Sequence, residues 1–169
     1  VTASQFLQTG SCQKVLVVGA DALTRFLDWS DRSTCILFGD GAGAMVLEAT
    51  DDVSESGVLG FALHSRGGGY ENLKLPYNQE FKSLDNDEGN VVDRGAYGKM
   101  YMNGAEVYKF AVSEVPEVIG EALHNSGLST DDVDWLLLHQ ANIRIMKHAS
   151  KVLGIPMEKV LTNLQEYGN

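Results

Sequence analysis

The chain has 169 residues, 44% of them hydrophobic and 21% charged, with 23 acidic against 13 basic side chains and a net charge of −10. That balance lacks the broad basic footprint of a nucleic-acid binder and gives no attraction to anionic lipid surfaces. No apolar run reaches the roughly 20 residues that span a bilayer. The length suits one domain or part of a larger one. With no initiator methionine and an abrupt stop at Asn169, a piece of a longer protein is expected.

In chain order, residues Val1–Thr9 read as the tail of a helix that Gly10 stops. The valine-rich run Lys14–Ala20 reads as a central strand. Asp21–Asp31 is a helical or irregular connection, and Cys35–Phe38 is expected to be a second strand. Gly39–Gly43 reads as a tight turn into a third strand, Ala44–Ala49, and Gly57–His64 offers a fourth. From Ser65 to Gly98 the periodicity is lost, and the acidic run Asp85–Asn90 with its surrounding glycines marks a long loop expected to lie over a site. Asn103–Ser126 returns to helical spacing, with a stripe of Val107, Phe110, Ala111, Ile119, Ala122 and Leu123 and a kink or restart expected at Pro116. The apolar run Trp135–Leu138 reads as a buried strand ending at His139. Ile143–Leu153 is a helix closed by Gly154 and Pro156, and Lys159–Leu164 is a last strand or strand-like segment. Strands alternating with helices point to α/β layering.

His139 is the leading candidate for chemistry. A polar ring at a strand's carboxyl end lies where open α/β sheets place ligands, although a histidine bonded to a backbone carbonyl fits the same position. Asn169 follows Gly168, whose freedom permits close backbone approach. Both side chains donate a hydrogen bond while uncharged, so together they suit an oxyanion. Arg144, Lys147 and Lys151 share one helix face, which reads either as a solvated face or as a basic stripe on an acidic chain fit to dock an acidic partner or a phosphate. The glycine loop lacks the Lys-[Ser/Thr] of a phosphate cradle. Cys12 and Cys35 form no C-x-x-C pair and have neither a helix start nor a histidine partner, so neither is read as a nucleophile.

Five stretches, Val18-Gly19-Ala20-Asp21, Asp31-Arg32-Ser33-Thr34, Phe38-Gly39-Asp40-Gly41-Ala42-Gly43-Ala44, His139-Gln140-Ala141-Asn142-x-Arg144-Ile145 and Tyr167-Gly168-Asn169, together resemble the β-ketoacyl-acyl carrier protein synthase III family. The resemblance covers essentially the whole chain, and Phe26–Arg32 looks closest to the plastid and cyanobacterial type. It implies an α/β, thiolase-like fold layered α-β-α-β-α, here incomplete. Residues 1–65 would form the rear of the first half, 66–101 a connecting or lid region, and 102–169 the front of the second half. It implies a Cys-His-Asn site in which His139 and Asn169 are the histidine and asparagine, with the cysteine upstream of Val1. The implied reaction joins an acetyl group from acetyl-CoA to malonyl-acyl carrier protein with loss of carbon dioxide, and needs no cofactor. By the same resemblance Arg32 lies near the adenine end of coenzyme A, Asn142, Met102 and Gly104 line the pantetheine channel, and Arg144, with Lys147 and Lys151 on its face, docks acyl carrier protein. Ala105 departs from the polar or basic residue often found at its position. A homodimer is implied when full length, located in the plastid stroma if eukaryotic and in the bacterial cytoplasm otherwise. Two other readings stand beside this one: a thiolase-fold polyketide or alkylquinolone-type synthase, and a catalytically dead piece serving only as a binding surface.

Overall fold

The computed structural model describes residues 1–51, 57–78 and 95–169. Helix α1 (Thr2–Gln8) ends at Thr9, and Gly10 turns the chain at φ 72°, a left-handed conformation that glycine adopts without a Cβ penalty. Strands β1 (Lys14–Ala22) and β2 (Asp40–Glu48) form an antiparallel ribbon with Lys14 opposite Glu48 and Ala22 opposite Asp40. Three short pieces follow, β3 (Leu73–Lys74), β4 (Tyr77–Asn78) and β5 (Ala96–Tyr97), the last two paired with each other. β3 pairs instead with β6 (Tyr101–Met102), which leads into the long helix α2 (Gly104–Asn125).

The part that positions the site is a β-α-β unit. Strand β7 (Leu136–Leu137), helix α3 (Ile143–Leu153) and strand β8 (Val160–Leu161) follow in order, and β7 and β8 are parallel. Parallel neighbours need a crossover, and α3 supplies it with a cap at each end. The Asn142 side chain accepts the Arg144 N–H at 2.9 Å, and Gly154 closes the helix at φ 70°. Beneath the strand pair, Leu136, Met146, Ile155 and Val160 form one buried cluster, with Ile119, Val133 and Leu138 packed against it. A one-turn helix, α4 (Leu164–Tyr167), follows β8.

Several expectations are corrected. Cys35–Phe38 is not a strand: Asp31 caps a helical turn there, its backbone carbonyl accepting from Thr34 and Cys35, while Leu37 and Phe38 donate to Thr34. Gly39–Gly43 is not a tight turn, because β2 already begins at Asp40 and its glycines pair across the ribbon, Gly43 with Gly19. Gly57–His64 lies as irregular chain along α2, held by Asn125 Nδ2 to the Phe61 carbonyl at 3.1 Å and by His64 to Glu121 at 2.6 Å. A Cβ at Gly60 would fall 2.8 Å from Ser126 Cβ, so this glycine permits the close approach. Helix α2 runs unbroken through Pro116, whose ring is buried, and Phe110 of its predicted stripe is 45% exposed. Trp135 and Leu137 are exposed, so Leu136 alone of that run is buried. The ribbon β1–β2 is not covered as a central strand would be: Leu16, Val18, Met45 and Val46 are each about 60% exposed. The acidic run Asp85–Asn90, and most of the loop around it, lies outside the described residues. Among the described residues no helix is long and apolar enough to cross a membrane.

Met146 is fully buried at the centre of the β-α-β core. Met146→Ala is expected to lower stability by about 2–5 kcal/mol, read as a shift in the urea midpoint at constant slope.

Candidate active site

β7 and β8 release the chain at their carboxyl ends on the same side of the unit. His139 stands two residues beyond β7, exposed, and its ring makes no hydrogen bond among the described residues. Asn163 stands two residues beyond β8 and begins α4, which delivers Gly168 and Asn169. Gly168 adopts φ 73° and ψ −156°, a region open essentially to glycine alone. That conformation turns Asn169 back on the amino-terminal part of the chain. Its Nδ2 donates to the Leu37 carbonyl at 2.8 Å, and its own carbonyl lies 3.5 Å from where a Cβ on Gly39 would be. An amide NH₂ has two hydrogens, so one donor of Asn169 is left for a ligand.

His139 and Asn169 line one open cleft of about 380 Å³. Its floor is the glycine-bearing stretch of the ribbon. Gly41 and Gly43 point to one face of β2 by the period of two, and a Cβ on either would meet nothing within 4 Å. With Gly19, Gly39 and Ala42 they leave a floor that is mostly backbone, walled by Asp21, Leu23 and Phe38. The wall is braced by Asp40, which accepts from Thr24 N at 2.8 Å and Thr24 Oγ1 at 2.7 Å. Those bonds, the backbone one foremost, hold the Asp40 carboxyl below its ordinary range. Two other hollows run along α2, of about 400 and 590 Å³, one beside the His64–Glu121 pair and both against Phe110. Both are lined by several charged side chains, Arg66 with Glu114 and Glu117 in one and Arg66 with Glu106 and Lys109 in the other, whereas the His139 cleft carries Asp21 alone among the described residues, so chemistry rather than volume selects it.

The remaining candidates lie outside this lining. Arg32 is exposed on the turn that Asp31 caps, and Asp31 accepts from Ser33 Oγ at 2.7 Å and Ser33 N at 2.9 Å. The Ser33 bonds, its hydroxyl foremost, lower the Asp31 pKa. Asn142 commits its side-chain oxygen to the α3 cap. Met102 and Gly104 meet at the junction of β6 and α2, where a Cβ on Gly104 would lie 3.5 Å from Met102 Cε. Arg144, Lys147 and Lys151 are all exposed and form no ion pair among the described residues. Cys12 and Cys35 are free thiols, and neither lines the cleft. Sequence reasoning missed two contributors. The glycine floor was legible as Gly41-x-Gly43 only if the segment were taken as strand. The bonds of Gln140 reach Leu161 and Asn163, which no local pattern reveals.

Solved structures show what this architecture is. A crystal structure of 3-oxoacyl-[acyl-carrier-protein] synthase III from Aquifex aeolicus superposes with a TM-score of 0.82 at 37% identity, covering 99% of this chain and 48% of that one. The corresponding enzyme of Thermus thermophilus also gives 0.82, at 36% identity and with 99% and 49% covered. The fold is therefore the thiolase-like α/β fold of the condensing enzymes. Two models of one family match the sequence, 3-Oxoacyl-[acyl-carrier-protein (ACP)] synthase III over residues 1–67 and its C-terminal model over residues 123–169. A β-ketoacyl-[acyl-carrier-protein] synthase III of Microcystis aeruginosa is 53% identical over 169 residues, covering 100% of this chain and 50% of that protein. The chain belongs to the 3-oxoacyl-[acyl-carrier-protein] synthase III family, and it spans about half the length of the curated relatives it matches.

The Gly168 conformation generates a direct test. Gly168→Ala imposes strain of about 1–3 kcal/mol, which the chain relieves by releasing Asn169 from Leu37. The Asn169 carboxamide resonances are expected to lose the dispersion of a bonded amide; unchanged shifts would contradict the strain.

Proposed function

We propose that this chain supplies the oxyanion-stabilising part of a decarboxylative acyltransferase that joins an acyl group, acetyl or a similar primer, to malonyl-acyl carrier protein. The observation that carries the reading is the meeting of His139 and Asn169 in one cleft, over a glycine-rich floor, in a chain of this family. The whole protein would hold the acyl group as a thioester on a cysteine. Neither Cys12 nor Cys35 lines the cleft, so that thiol is assigned outside this chain, and the chain alone is expected to be inactive.

In the proposed step the carbon–carbon bond to the malonyl carboxylate breaks and carbon dioxide leaves. Its electron pair moves onto the thioester oxygen as an enolate. The imidazole N–H of His139 and the remaining Nδ2–H of Asn169 donate to that oxygen, where charge builds up. The enolate carbon then attacks the cysteine thioester, a new carbon–carbon bond forms, and the cysteine thiolate departs. Bare glycine backbone beneath the cleft leaves room for a flat thioester to lie close. Removing one such donor typically costs about 10²–10³ in kcat, or about 2.7–4 kcal/mol. Of the other residues, Arg32 is proposed to contact the nucleotide end of coenzyme A, and Asn142, Met102 and Gly104 the pantetheine arm.

Two measurements on the whole protein test the reading. His139→Ala and Asn169→Ala should each slow malonyl decarboxylation by about 10²–10³ while cysteine acylation by acetyl-CoA persists; the reverse pattern refutes the division of labour. Arg144, Lys147 and Lys151 are proposed to dock acyl carrier protein. Charge reversal of these three to Glu should raise KM for the carrier-bound malonyl substrate, most strongly at low salt, and leave KM for acetyl-CoA unchanged. A uniform rise in both would remove the docking role.

A further inference from the structure

Gln140 follows His139 in sequence, and its side chain reaches across to the segment that leads to Asn169. Its Nε2 donates to the Leu138 carbonyl at 2.9 Å and to the Leu161 carbonyl at 3.2 Å. Its Oε1 accepts the Asn163 N–H at 3.0 Å. One planar amide thus touches the end of β7, the end of β8 and the residue that starts α4.

The backbone leaves this work undone. The β7–β8 ladder consists of two paired positions, Leu136 with Val160 and Leu137 with Leu161. Apart from the bonds of that ladder, no backbone hydrogen bond among the described residues joins the two chains leaving the strands. His139 and the segment that ends in Asn169 both lie beyond that limit. The His139 ring has no hydrogen-bond partner of its own among the described residues, so its direction depends on where residues 138–140 hold its backbone. Gln140 extends the ladder by side chain at the place where backbone pairing stops.

We propose that Gln140 is a positioning residue that sets the spacing between His139 and Asn169 by clamping the β7 end to the β8 end. This deepens the proposed function and rests on it. A displacement on the ångström scale is enough to cost about 100-fold in an aligned reaction, which sets the size of the expected effect.

The test compares Gln140→Ala, Gln140→Glu and His139→Ala in the whole protein, with two half-reactions measured separately. Gln140→Glu preserves size and the acceptor for Asn163 but removes both N–H donors. The clamp predicts that both Gln140 variants lower kcat for malonyl decarboxylation by about 10- to 100-fold, with KM for the malonyl substrate and the rate of cysteine acylation unchanged. It also predicts that crystal structures of both show His139 displaced relative to Asn169. Decarboxylation at the parent rate in both variants overturns the proposal. So does parallel loss of both half-reactions, or failure of both variants to fold, since each marks a merely structural amide. If Gln140→Ala alone fails to fold, Gln140→Glu decides. His139→Ala separates the two levels: retained decarboxylation there refutes the function itself, whereas its loss beside unaffected Gln140 variants refutes only the clamp.

Discussion

The packing of α3 beneath two very short parallel strands is the constraint on which the site depends. β7 and β8 are too short to hold each other by their ladder alone. Met146, Leu136, Ile155 and Val160 bury against one another and fix the strands over the helix. Ser150 Oγ donates to the Ile155 carbonyl at 2.6 Å, tying the chain back to α3 just after Gly154 has turned it. On the far side Lys159 Nζ reaches the Val133 carbonyl, fastening the approach to β8 to the approach to β7. Once that unit is rigid, everything beyond its carboxyl ends inherits a defined origin.

A second contact carries that order across the molecule. Asn169 and Leu37 are 132 residues apart and share a hydrogen bond. The bond joins the β-α-β unit to the glycine end of the β1–β2 ribbon, and the cleft exists only because the two meet. Its chemistry has a simple electrostatic character. Its two side-chain donors need no charge to donate, and its floor is mostly backbone. Among the described residues the one acidic side chain in the wall is Asp21; Asp40, next to it in the ribbon, turns both oxygens to Thr24.

The ribbon itself has an unusual surface. Leu16 and Val18 on one strand, and Met45 and Val46 on the other, expose apolar area. A near-continuous hydrophobic run is the pattern of strands covered on both faces. In the isolated chain this area and the unpaired strand edges favour self-association. The bare glycine patch at the other end of the same strands is a different kind of exposure, because it offers backbone rather than side chains to whatever enters the cleft.

Sequence by itself determined the elements whose causes are local. α3 begins and ends at the residues its periodicity marked, because Asn142 caps it and Gly154 stops it within one turn. β1 follows from its valines, α1 from Gly10, and the position of His139 at a strand end from the apolar run before it. The pairing of His139 with Asn169 was suggested by their shared donor chemistry and by resemblance to a family. Tertiary structure alone decided the rest. It made Cys35–Phe38 a capped turn, drew the glycines of residues 39–43 into a strand, laid Gly57–His64 along α2, and gave Gln140 its partners. The physical reason is range: propensity and capping act over a few residues, whereas the Gln140 and Asn169 bonds join residues 21 to 132 apart and exist only after the chain has packed.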